Sequence, residues 1–153
     1  MLRGLLQGAA AGAAGTTALN VVTYADMALR GRPASSTPER TVDAIAGLAG
    51  VAVPGAGATR EARRSALGAL AGLVAGVGVG AALGAARELG WRPGVVTGGV
   101  LTGTAAIVAA NGPMIALGIT DPRTWSAADW VADIVPHLAY GVVTHTTLTY
   151  FST

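Results

Sequence analysis

The stretch SALGALAGLVAGVGVGAALGAA, residues 65–86, is almost wholly apolar and carries glycine at every fourth position: Gly68, Gly72, Gly76, Gly80 and Gly84. In water, each glycine inside a helix costs about 1 kcal/mol relative to alanine. In lipid the backbone has no other hydrogen-bonding partner, so an apolar segment of this length must be helical. Glycines repeated at this spacing form a groove in which a second helix can pack closely. The stretch therefore predicts a membrane-spanning helix with a small-residue packing face.

Composition favours the same class of protein. The 153 residues are 52% hydrophobic and 12% charged, with a mean hydropathy of +0.54, whereas soluble domains are usually about 25% charged. The formal net charge of +2 is too small and too scattered for a nucleic-acid interface. The absence of cysteine excludes disulfides and thiolate ligands.

Four apolar segments are long enough to cross about 30 Å of hydrocarbon. They cover residues 2–29, 66–86, 94–118 and 128–151, and a short amphipathic helix is predicted at 38–50 in the arginine-rich connection. The predicted fold is all-α: one membrane domain over residues 1–153, built as a polytopic four-helix bundle with glycine and alanine at the helix contacts. A signal peptide is the rival interpretation of the first segment, with Arg3 as its basic start and Ala9 to Ala13 as small residues for cleavage.

The first segment has a ladder of its own. Gly4, Gly8 and Gly12 are continued at the same spacing by Thr16, Asn20 and Tyr24. We predict that the three glycines pack against the ladder at Gly68 to Gly84. Because the connection at 87–93 is short, we also predict that the third segment lies antiparallel beside the second, and its own small residues are Gly98, Thr102, Ala106 and Ala110.

Helix starts and breaks are marked by familiar residues. Ser36, with Glu39 three residues later, predicts a capping box, and so does Ser126 with Asp129. Pro113 predicts a kink in the third segment, because proline removes one helical hydrogen bond and clashes with the preceding turn.

Arginine distribution predicts an orientation. Four antiparallel segments place the first and third loops on one side with seven arginines, and the termini with the second loop on the other side with three. The positive-inside rule then puts the arginine-rich loops in the cytoplasm and both termini outside the cell membrane.

The same topology gathers a candidate polar pocket in the cytoplasmic half of the bundle: Asn20, Tyr24, Asn111, Asp133 and His137. Ionisable residues at this depth usually face the bundle interior or a water-filled cavity. Asn20, Asn111 and Tyr24 are equally typical of hydrogen bonds between helices. Asp133 and His137 can be a structural pair, a proton or cation site, or part of a ligand site; two residues are too few for a metal, so none is predicted. His145 is predicted to lie near the outer surface.

Residues 12–39 (GAAGTTALNVVTYADMALRGRPASSTPE) and 121–141 (DPRTWSAADWVADIVPHLAYG) resemble small four-helix membrane proteins of actinobacteria and are similar to YagU-like inner-membrane proteins. The resemblance carries over no functional residues, and no motif of a hydrolase, metalloprotease or nucleotide-binding enzyme is present. The predicted role is structural or accessory, without catalysis or cofactor, and the alternative is proton- or cation-linked transport. The predicted partners are the lipid bilayer and a second copy or a larger membrane complex, with no nucleic acid.

Overall fold

A computed structural model describes residues 1–151. Its helices are α1 (Leu2–Arg30), α2 (Thr37–Leu48), α3 (Gly57–Glu88), α4 (Val95–Ala116) and α5 (Ala127–Tyr150), with a short 3-10 helix at Pro122–Thr124. No strand occurs within this range. The all-α prediction is therefore confirmed.

The long helices pack in the spatial order α3, α1, α5, α4, and α2 lies on α3. α3 and α4 are joined by a short turn, yet their contact is less extensive than the contact of α4 with α5. α4 does contact α3, as the short turn predicts, but its more extensive contact is with α5. The reason is that the smallest residues of α4, such as Gly99 and Gly103, are turned toward the backbone of α5.

The contact between α1 and α3 consists of backbone packed on backbone. A Cβ atom added to Gly4 would lie 2.7 Å from the carbonyl oxygen of Gly84, and one added to Gly12 would lie 2.6 Å from that of Gly76. Gly80 lies between these two levels, where an added Cβ would meet the Cα atom of Gly12 at 2.5 Å. The rising numbers on α1 meet falling numbers on α3, so the two helices are antiparallel and no side chain fits between them.

Gly68 and Gly72 do not take part in this contact. An added Cβ at Gly68 would meet Pro38 of α2, and at Gly72 it would meet nothing within 4 Å. Successive steps of four residues drift by about 40° around a helix, so three steps from Gly84 to Gly72 turn the glycine about 120° away. Only the last three glycines of the ladder, Gly76, Gly80 and Gly84, therefore contact α1.

Helix boundaries differ from the predictions in two places. α3 begins at Gly57, so Arg60 and Arg64 belong to a helix and pair with Asp43 of α2 at 3.2 and 2.7 Å. Ser36 makes no capping hydrogen bond; instead the backbone N–H of Thr37 donates to Oγ of Ser35.

The start of α5 and the interior of α4 complete the comparison. Ser126 and Asp129 form the reciprocal capping box at the start of α5. α4 continues through Pro113 as far as Ala116, so the proline does not end the helix.

The bundle has small residues inside and large apolar residues outside. Its buried positions in α1, α3 and α4 are all glycine, alanine or threonine, while leucines and valines such as Leu6, Val74 and Val96 are more than 60% exposed. Two helices, α3 and α4, are long and apolar enough to cross a membrane.

Candidate functional site

The polar cluster of the bundle lies where α4 meets α5. A Cβ added to Gly141 would lie 2.5 Å from the backbone nitrogen of Gly103, and one added to Gly103 would lie 2.8 Å from the carbonyl oxygen of His137. This close antiparallel approach brings the last turns of α4 against the first turns of α5. Asn111 therefore comes level with Asp133.

Asp133 is the centre of the cluster. Asn111 Nδ2 donates a hydrogen bond of 3.0 Å to Asp133 Oδ2. His137 Nδ1 lies 2.7 Å from the carbonyl oxygen of Asp133 and 3.7 Å from its Oδ1. The side chains of His137 and Asp133 are 12% and 18% exposed, so the cluster is mostly shielded but not sealed.

The geometry fixes which nitrogen of His137 carries a proton. A carbonyl oxygen only accepts, so the Nδ1 atom that contacts it must carry the hydrogen. In the neutral imidazole the Nε2 atom then carries the free lone pair. The cluster thus places one carboxylate, one amide and one imidazole side by side.

Asn20 and Tyr24 are not part of this cluster. Both are exposed, Tyr24 to 63%, and their helix α1 contacts α5 through Gly15, where an added Cβ would lie 2.9 Å from a ring carbon of Tyr140. Steps of four residues from Gly12 reach Tyr24 after about 120° of drift, which carries it off the packed face. The proposed pocket of five residues is reduced to Asn111, Asp133 and His137.

Tyr140, rather than Tyr24, is the tyrosine that lies in the interior of the bundle. It is only 1% exposed, and its hydroxyl donates a 2.6 Å hydrogen bond to the carbonyl oxygen of Gly76 on α3. The spacing of Asp133, His137, Tyr140 and Thr144 is four, three and four residues, which places them on one helix face. This pattern could have identified Tyr140 as an interior residue. The sequence-based prediction instead assigned Asn20 and Tyr24 of α1 to the pocket.

His145 is buried rather than surface-exposed, with 2% of its area accessible. Gly98 makes room for it, since a Cβ atom there would collide with the imidazole ring. Trp91 packs edge-on against the ring, with centroids 6.2 Å apart. Among residues 1–151, Nε2 of His145 and the hydroxyls of Thr102 and Thr144 are buried without a hydrogen-bond partner.

Across residues 1–151 no group of three or more histidine, aspartate and glutamate side chains is arranged to hold a metal ion. No protein-family model, curated protein or solved structure matches the chain.

Proposed function

We propose that the chain is a small integral membrane protein with four spans, formed by α1, α3, α4 and α5, and that its role is structural or accessory. One observation carries this proposal: many large apolar side chains face outward, while the buried positions of α1, α3 and α4 are all glycine, alanine or threonine. A soluble bundle has the opposite arrangement.

The exposed apolar area argues against water as the surrounding solvent. Only 11% of the most apolar 18-residue window of α3 and 33% of that of α4 are buried within the protein. Each Å² of apolar surface left in water costs about 25 cal/mol, and soluble monomers rarely expose continuous patches above a few hundred Å². In hydrocarbon the same surface has no such cost.

The glycine contacts suit a lipid environment for a related reason. Lipid tails are as apolar as leucine, so helices in a membrane associate through close packing and hydrogen bonds. The backbone contact between residues 4–12 of α1 and 76–84 of α3 supplies such packing over about two helical turns. An apolar face of α3 around Gly72 and Leu73 remains uncovered. If the chain is an accessory protein, a second copy or a larger complex would bind at this face.

Cysteine labelling tests the topology, because the native chain has no cysteine. Ser36 and Gly94 are exposed in the first and second loops, and a Cβ atom added to Gly94 meets nothing within 4 Å. On intact cells we expect an impermeant maleimide to label Gly94→Cys but Ser36→Cys only after permeabilisation. The reverse result would invert the orientation, and labelling of both on intact cells would overturn the four spans.

A second candidate function, proton- or cation-linked transport, is favoured by the contacts among Asn111, Asp133 and His137. Purified protein in liposomes with an internal pH dye tests it under an imposed potential. The structural role predicts tight liposomes for the native protein. A flux that disappears in Asp133→Asn with His137→Gln, but persists in the matched α1 variant Asn20→Ala with Tyr24→Phe, would replace the structural role with transport.

A further inference from the structure

The last turns of α5 bury a titratable side chain that the proposed function does not use. His145 is 2% exposed, and Gly98 of α4 makes room for its ring, because a Cβ atom there would collide with the imidazole. Trp91, in the turn between α3 and α4, packs edge-on against the same ring with centroids 6.2 Å apart. The imidazole therefore joins α5 to α4 and to the turn that precedes α4.

The two nitrogens of this ring have different surroundings. Nε2 is buried and has no hydrogen-bond partner among residues 1–151. Pro93 interacts with His145 through its backbone, and since proline has no N–H, the interacting group is the carbonyl oxygen. That oxygen only accepts, so it favours a hydrogen on the other nitrogen, Nδ1. The neutral ring then carries its free lone pair at Nε2, where a second proton would find no acceptor.

The helices packed around His145 supply no negative charge to the ring. α4 has no titratable side chain between Val95 and Ala116, and α1 has none between Arg3 and Tyr24. At the end of α3, Arg87 is the charged side chain that acts on the ring. It has a partner of its own, and as a cation it cannot balance a charge on the imidazole.

The remaining polar side chains nearby are engaged or of the wrong sign. Glu88 pairs with the terminal ammonium of Met1 at 3.0 Å, and the turn before α4 adds Arg92, which is positive. On α5, the hydroxyl of Tyr140 donates to the carbonyl oxygen of Gly76 at 2.6 Å. A charged imidazole would therefore be buried without a counter-charge and with one unpaired N–H, which is far less favourable than burial of the neutral ring.

We propose that His145 forms an acid-sensitive contact: a proton taken up from solution at Nε2 drives the ring out of its place between Gly98 and Trp91 and opens this end of the bundle. A histidine that is exposed to solvent takes up a proton near pH 6.5, so the contact is closed above this pH and opens below it. The inference goes beyond the proposed structural role and does not depend on the number of spans.

Trp91 provides the readout for a test on the full chain. In a background with Trp125→Phe and Trp130→Phe it is the single tryptophan, and its emission reports whether the imidazole lies against it. Opening is driven by increasing fractions of sodium dodecyl sulfate in mixed micelles, at pH 7.5 and at pH 5.5. Because the open state binds one more proton than the closed state, we expect the ratio of closed to open molecules to fall about tenfold between these pH values.

The chain has two histidines, so His137→Gln is the matched control for His145→Gln. The tenfold fall should persist in His137→Gln and disappear in His145→Gln. His145→Phe keeps a ring in the same place but cannot take up a proton, and it should also remove the pH dependence; it answers the question if His145→Gln fails to fold. The proposal would be overturned by a ratio independent of pH in the background protein, by an equal fall in every variant, or by a fall that disappears in His137→Gln.

Discussion

Gly80 and Gly72 offer a matched test of the packing between α1 and α3. Both lie in the same glycine ladder of the same helix, and each has apolar neighbours. A Cβ atom at Gly80 would lie 2.5 Å from the Cα atom and 2.7 Å from the nitrogen of Gly12, whereas one at Gly72 would meet nothing within 4 Å. Substitution by alanine therefore adds the same methyl group to a closed site and to an open one.

The expected magnitudes follow from these distances. An ordinary contact is at least 3.4 Å, so α1 and α3 must separate by roughly 1 Å, and a gap of 0.5–1 Å already forfeits about a quarter to a half of each dispersion contact. Overpacking of this kind typically costs about 1–3 kcal/mol. At Gly72 the change brings only the helix propensity of alanine, a gain of up to about 1 kcal/mol. The same propensity gain applies at Gly80 and cancels in the comparison, so we expect the two variants to differ by about 1–3 kcal/mol in the free energy of unfolding.

The assay is reversible unfolding in mixed detergent micelles, followed by far-ultraviolet circular dichroism, with Gly78→Ala as a second open-site control because a Cβ there also meets nothing. Gly80→Ala should be destabilised, while Gly72→Ala and Gly78→Ala should be unchanged or more stable. Equal effects at Gly80 and Gly72 would refute the assignment of the packing face.

Two further predictions concern single polar contacts. Asn111→Ala removes the hydrogen bond to Asp133 and should lower the free energy of unfolding by about 0.6 kcal/mol, the average for a hydrogen bond between membrane helices. The control Asn20→Ala, at an exposed position, should have no measurable effect. Equal effects of the two substitutions would contradict the placement of these residues. The side-chain and backbone hydrogen bonds from Arg123 lower the pKa of Asp121, so the turn they hold is favoured above the ordinary carboxyl pKa and is lost as the pH falls through the lowered value. A nuclear magnetic resonance titration should show this lowered pKa and its return toward the ordinary value in Arg123→Gln.

The sequence was a better guide to which helices are in contact than to how far each contact extends along the helices. The spacing of four residues identified Gly4, Gly8 and Gly12 as a face and α3 as its partner, because a groove of backbone atoms needs another backbone to fill it. The prediction then extended the same face too far along both helices, toward the C-terminal end of α1 and the N-terminal end of α3. Since each step drifts by about 40°, a face that begins at Gly12 no longer includes Tyr24, and a face that begins at Gly84 no longer includes Gly72.

The part of the candidate site that lies on one helix could be predicted from the spacing of its residues. The part that depends on how two helices are oriented relative to each other could not. Asp133 and His137 follow one another on a single face of α5, and periodicity suffices to pair them. Asn20 and Asn111 were assigned by depth alone, and depth does not determine the direction in which a side chain points. α1 has small residues on every side, so its sequence does not distinguish the face that meets α5 from the face that meets the surroundings.

Tyr140 separates the structural role from the transport role. Its hydroxyl bridges α5 to the carbonyl oxygen of Gly76 on α3, and it lies between the Asp133 cluster and the buried His145. In the present conformation this fully buried side chain fills the interior between the Asp133 cluster and His145.

Tyr140→Phe removes the bridging hydroxyl and keeps the ring that fills the centre of the bundle. If the protein is structural, the variant should lose about 0.5–1.5 kcal/mol of stability, the net contribution of one hydrogen bond, and liposomes that contain it should remain tight. Thermal unfolding and a dye-based flux assay on the same preparation measure both quantities. A proton or cation leak in Tyr140→Phe that is absent from the native protein, and that disappears again when Asp133→Asn is added, would show that the tyrosine closes a path and would contradict the structural role.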